Sequence, residues 1–249
     1  MRVEAGEDLI WSTELYYRLA VLTGNQLDVG QERNRKTVLE IIDKGLSFNE
    51  QDRDLLYYKA WVLKKGGLLE QALAIYQALE EKNDHSDVVL RGIADIYYED
   101  LNRHADKALT YYERLLEIRE NAKLYFYAAT CKRQLGDLEG AKLYYLKALE
   151  MDPGDIETFH GLAFIYDALG NYEESLKLLN QGLAIIENTT HRFDPIVEHK
   201  ANVLRRLGRF EEALSFAKDA GIDYLYFNFV QLQIDICYQA GWWHRARQV

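Results

Sequence analysis

The chain has 249 residues, 48% of them hydrophobic and 28% charged, with 16 Gly, 2 Pro and 2 Cys. That apolar content excludes a disordered tail, and so few cysteines exclude a disulfide scaffold. With 30 Lys+Arg against 40 Asp+Glu the net charge is −10, which opposes a phosphate backbone, so no nucleic-acid partner is expected.

In chain order, Met1 to Glu14 places Glu4, Glu7 and Asp8 where an export signal needs a basic start and an apolar core, so a cytoplasmic location is expected. Leu9 to Thr23 and Gln31 to Ser47 read as a helix pair joined by a longer loop over Gly24 to Gly30, and residues 1–50 make up this first pair. From Arg53 onward a period sets in. Small residues stand four positions before a tyrosine at Ala72 and Tyr76, Ala108 and Tyr112, and Ala141 and Tyr145. Softer copies follow at Ser175 with Leu179 and Ala213 with Ala217, and Ala246 opens another. Successive small residues lie 36, 33, 34, 38 and 33 positions apart, a repeat of about 34 residues.

Gly67, Gly136, Gly170, Gly208 and Gly241 keep the same beat, each five residues before a small residue. Glycine takes positive φ without a Cβ penalty, so these positions predict the reversal between two helices of a hairpin. The predicted first helices are 9–23, 53–65, 87–99, 122–135, 156–169, 194–207 and 223–240. Asp100 to His104 and Asn188 to Phe193 read as loop insertions, and Asp194-Pro195 as the N-terminal start of a helix. The stretch Tyr224 to Ile234 is closed by Asp223 and Asp235, so no membrane span is expected. Residues 227–249 form an incomplete last repeat with no polar capping helix, which predicts either a longer parent chain or self-association through the C-terminal end.

These markers resemble the tetratricopeptide repeat family. Its signature is followed best by Phe159, Leu162, Ala163 and Tyr166, after the stop at Asp152-Pro153. Lys59, Lys132, Lys200 and Gln233 depart from it, standing where the family favours Leu or Tyr. The resemblance implies an all-α fold: a right-handed α-solenoid of about seven antiparallel helix pairs, the last truncated, running as one domain over 1–249. It also implies that ligand peptides lie on the concave face lined by first helices.

Catalytic and metal motifs are thin. There is no phosphate loop, no His-Glu-x-x-His and no Cys-x-x-Cys, and Gly45 to Asn49 misses the nucleophile elbow and reads as a helix end. Cys131 and Cys237 read as buried small hydrophobes. His191 and His199 read as a surface pair, since eight residues across a loop is not metal-ligand spacing. Glu80-Glu81, Glu173-Glu174 and Glu211-Glu212 read as solvated helix-end acids. No catalytic residue, metal or cofactor is expected, and the chain reads as a non-enzyme.

Projecting helical spacing along the first helices puts Tyr57, Trp61, Lys64 and Lys65, then Arg91 and Tyr98, then Lys123, Phe126 and Arg133 on the inner wall. His160 and Phe164 follow, then Arg205 beside Arg206. A wall mixing aromatic with basic residues inside an acidic body predicts a protein or peptide partner, acidic with apolar anchors. The Lys-Asn pair with which heat-shock adaptors of the family clamp a terminal carboxylate has no counterpart here. The expected function is therefore a protein-interaction module, with a self-associating assembly element as the alternative.

Overall fold

The structure is a computed structural model describing residues 2–82, 84–186, 194–219, 234–242 and 244; of 2–12, 101, 194 and 217–219 it describes the backbone alone. Among the described residues there is no strand. The chain divides into two compact units, Met1–Glu120 and Asn121–Val249.

The first unit holds α1 (Arg2–Gln26), α2 (Glu32–Leu46), α3 (Arg53–Lys65), α4 (Leu69–Glu81), α5 (Asp87–Glu99) and α6 (Leu101–Ile118). The second holds α7 (Ala122–Gln134), α8 (Leu138–Met151), α9 (Ile156–Ala168), α10 (Tyr172–Ile186), α11 (Asp194–Arg206) and α12 (Phe210–Asp219), followed by a helical stretch over 234–239. Each odd-numbered helix packs on the even-numbered helix after it. The first helices α1, α3 and α5 touch in one unit and α7, α9 and α11 in the other, so each unit has a wall of first helices.

The hairpin turns follow from glycine. Gly67, Gly136, Gly170, Gly208 and Gly241 have φ between 72° and 83°. At Gly170 the amide bonds back to the Asp167 carbonyl (3.0 Å) and the next amide, of Asn171, to the Tyr166 carbonyl (2.8 Å). This pair of reverse bonds satisfies the orphan carbonyls of the helix end. Side chains start the next helices: Asp52 accepts from the Leu55 amide, Asn121 from that of Lys123 and Asp137 from that of Gly140.

The small–aromatic markers lie in the core. Ala72, Ala108 and Ala141 are fully buried, and Tyr76, Tyr112 and Tyr145 nearly so. A Cβ added at Gly161 of α9 would come within 2.7 Å of the Tyr145 ring of α8, and one at Gly92 of α5 would overlap the ring of Tyr76 of α4. The tyrosine of one hairpin therefore fits a socket that the next hairpin opens by lacking a side chain.

Two predicted loops are shorter than the sequence suggests. The helix α1 runs through Gly24 to Gln26, because Gly24 serves close packing: a Cβ there would overlap the Tyr58 hydroxyl. Only Asp100 separates α5 from α6, and the extra residues wind into helix up to a break at His104 (φ −132°). The Asp100 carbonyl accepts from the amides of Arg103 and His104, and the His104 ring leans on Tyr97 (5.4 Å). The Asn188 to Phe193 insertion, most of the first helix expected over 223–240, and Trp243 and 245–249, on which the expected end-on self-association rests, lie outside the described residues.

The lysines that break the repeat pattern set their ammonium groups against a ring face or a carboxylate. Lys132 lies over Tyr144 (4.9 Å), Lys200 over Phe216 (4.2 Å), and Lys59 pairs with Asp43 (2.6 Å). Glu80 is also tied in rather than solvated, accepting from Tyr111 and pairing with Arg114 of α6.

Candidate functional site: the first-helix walls

On the first unit, α3 and α5 carry the wall. Tyr57 is half-buried, its hydroxyl donates to the Asp84 carboxylate, and Arg53 pairs with the same carboxylate (2.8 Å). Burial pushes the Asp84 carboxyl up, but hydrogen bonds from Tyr57 and Ser86 outweigh it and hold the group below its ordinary range. Tyr57 is thus a structural tie between α3 and the turn before α5. Trp61 stacks on Tyr58 (5.4 Å, 13° between planes) and packs against the buried cluster around Ala20, Ile42 and Val62. Lys64 bonds to Asp95 (2.7 Å), whose other oxygen accepts from Tyr112, so its charge is neutralised locally. Tyr98 meets Tyr112 edge to face. Lys65 is exposed and Arg91 half-buried.

On the second unit, Lys123 is exposed at the start of α7. Phe126 packs against the cluster of Ala129, Tyr145 and Leu162. Arg133 spreads over the ring of Phe164 (4.9 Å), which is 43% exposed although it lies mid-helix on α9. Arg205 donates to Gln239 (2.7 Å) and Arg206 to Asp167 (3.1 Å).

The histidines rearrange the expected picture. His199 is no surface residue: its side chain is 9% exposed, and its ring meets His160 edge to face (5.2 Å) and leans on Phe164 (5.7 Å). Its expected neighbour, His191, lies outside the described residues. Burial lowers the His160 imidazole to about 4, with His199 and Arg133 adding to the effect. His199 is also lowered by burial, against the pull of Asp167, whose carboxylate stands 3.6 Å away. Both rings are therefore neutral at neutral pH. Among the described residues no group of three His, Cys, Asp or Glu is placed to hold a metal ion. Cys131 and Cys237 are buried, as expected of small hydrophobes.

Comparison with known proteins points one way. Tetratricopeptide repeat models match residues 54–86 and 134–192. The chain is 23% identical over 210 residues to the TPR repeat-containing protein MJ1428 of Methanocaldococcus jannaschii, a match covering 66% of this chain and 36% of that protein. The chain thus spans about a third of that relative's length. Among solved structures, a tetratricopeptide repeat protein of Parabacteroides merdae aligns with TM-score 0.73 at 18% identity, over 96% of this chain and 90% of that one. PilF of Pseudomonas aeruginosa aligns with TM-score 0.68 at 12% identity, over 92% and 99%. YrrB, described as a TPR protein with an unusual peptide-binding site, aligns with TM-score 0.56 at 18% identity, over 84% and 98%. With its five in-phase glycine reversals and its paired helices, the chain carries tetratricopeptide repeats at residues 54–86 and 134–192.

Proposed function

We propose that the chain is a non-enzymatic binding module that holds an acidic peptide segment with apolar anchors against its first-helix walls. The observation that carries this reading is Phe164, a large ring left 43% exposed on a first helix and flanked by the Arg133 guanidinium. Exposed aromatics beside arginine are typical anchors of recognition surfaces. Lys65, Arg91 and Lys123 supply positive charge against a body of net charge −10, which favours a negatively charged segment. The peptide-binding site ascribed to YrrB supports the same use of the fold.

A capped hexapeptide of alternating aspartate and phenylalanine, followed by fluorescence anisotropy at low salt, tests this. The triple variant Lys65→Glu, Arg91→Glu and Lys123→Glu is expected to keep its helical circular dichroism and to bind at least about tenfold more weakly, since reversing surface charges removes steering and attraction together. Unchanged affinity would contradict the reading.

A further inference from the structure

A fully buried alanine sets the common register of the first helices: Ala20 in α1, Ala60 in α3, Ala94 in α5 and Ala163 in α9. Five residues before that alanine and two after it stand Leu55 and Val62 in α3, Val89 and Ile96 in α5, and Thr158 and Ile165 in α9, none more than 7% exposed. These positions face the second helix of the preceding hairpin. Leu55 reaches to within 2.8 Å of where a Cβ on Gly45 of α2 would stand, and between the two positions lie Gly92 and Gly161, the sockets for Tyr76 and Tyr145.

In α1 the same two positions hold Leu15 and Leu22, and Leu19 stands where α5 and α9 bury Ile93 and Leu162. Here the stripe is open: Leu15 is 65%, Leu19 45% and Leu22 62% exposed. The neighbouring flank of α1 is occupied, with Tyr17 edge to face on Tyr58 of α3 and Ala20 in a buried cluster with Val38 and Ile42 of α2. Thus α1 shows to solvent the face with which α3, α5 and α9 receive a preceding helix, a continuation of the junctions between α2 and α3, α4 and α5, and α8 and α9.

Direction and spacing say what fits that face. Helices that follow one another through short turns and pack together run antiparallel, so the helix that fits here runs opposite to α1. The three leucines are four and three residues apart, nearly symmetric about their middle, and span about 10 Å of helix. The same stripe turned end for end sets Leu15 against Leu22 and Leu19 beside its own counterpart, which is what a two-fold axis through the stripe produces. Arg18, the one charged residue within the stripe, is paired with Glu14 a turn earlier (2.6 Å), so two copies meet without uncompensated charge.

We propose that α1 is a self-association surface: two copies of the chain pair antiparallel through Leu15, Leu19 and Leu22, each α1 taking the place that a preceding second helix holds at the internal junctions. Three leucines per copy fall short of the roughly 800 Å² per partner of a standard interface, so the pair is weak and concentration-dependent. None of the residues proposed to hold a peptide takes part, so pairing and peptide binding are separate properties.

Sedimentation velocity of the full chain from roughly 5 to 500 µM tests this, with a dissociation constant on the order of 100 µM expected. Leu19→Glu, which brings two carboxylates together near the axis, should weaken pairing at least about tenfold and keep the chain largely monomeric. Leu143→Glu, at a leucine of α8 that is 59% exposed, should pair as the wild type does. Packed helix axes lie roughly 8–10 Å apart, so Leu19→Cys should be joined to its counterpart by a short bismaleimide. Leu143→Cys should not be joined, and the native Cys131 and Cys237 are buried. Circular dichroism checks that each variant keeps its helices. A wild-type chain that stays monomeric at the highest concentration, a dimer that Leu19→Glu leaves as strong, or equal cross-linking of the two cysteine variants would overturn the proposal.

Discussion

The ring of Tyr145 lies so close to the backbone of Gly161 that a single added carbon there would come within 2.7 Å of it. The contact joins α8 to α9, and its counterpart joins Tyr76 of α4 to Gly92 of α5. At these two junctions one hairpin is locked to the next by an aromatic ring in a socket without a side chain, and part of the stability resides there.

Gly161→Ala is therefore expected to destabilise the chain by about 2 kcal/mol, the cost of overpacking, although alanine is the better helix former. In a Tyr145→Ala background the same change should cost much less. Urea denaturation of the double-mutant cycle reads the difference, and equal costs in both backgrounds would mean that the ring and the glycine are not coupled.

The glycine reversals make a second prediction. A Cβ at Gly170 would meet nothing within 4 Å, so the cost of Gly170→Ala comes from its φ of 78° alone, about 1 kcal/mol. Gly170→Asn, whose side chain tolerates the left-handed region, should cost less. Thermal denaturation of the two variants orders them.

The five reversals and the helix pairs were legible in the sequence because backbone physics repeats at a fixed interval: glycine suits the left-handed turn best, so the five positions stand out. The sockets at Gly92 and Gly161 were not, since a mid-helix glycine has no local signature until its neighbour's ring is known. The wall was half legible. Helical spacing put Arg133, His160 and Phe164 on one face, but it could not show that Lys64 is neutralised by Asp95 or that Trp61 is stacked on Tyr58. His199 escaped because the 38-residue interval between Ser175 and Ala213 carries His160 onto Glu198, one residue short.

That hidden ion pair can be opened. In Asp95→Asn the amide can still accept from Tyr112, while Lys64 is released from its 2.7 Å bond. Affinity for the acidic hexapeptide should rise several-fold at low salt, with a steeper salt dependence, as an added wall charge requires. Anisotropy titrations from 20 to 300 mM salt, roughly spanning a twofold or greater change in screening length, would expose a flat response.

Stability should also track the histidines. Burial first, then His199 and Arg133, hold His160 at about 4 in the folded chain, whereas the unfolded chain protonates it near 6.5. Between those values the unfolded state binds more protons, so stability is lost as pH falls from 7 toward 4, by about 1 kcal/mol or more at pH 5. His160→Gln should lose less stability on going from pH 7 to pH 5 than the wild type. An identical drop in melting temperature for both proteins would place the pH sensitivity elsewhere.

The most direct test of the account is where a peptide lands. Backbone amide shifts in an NMR titration with the aspartate–phenylalanine hexapeptide should move along α7, α9 and α11 of the second unit, most strongly around Arg133 and Phe164, while α8 and α10 stay still. Shifts confined to the second helices, or none at saturating peptide, would contradict the claim that the first-helix walls are the binding surface.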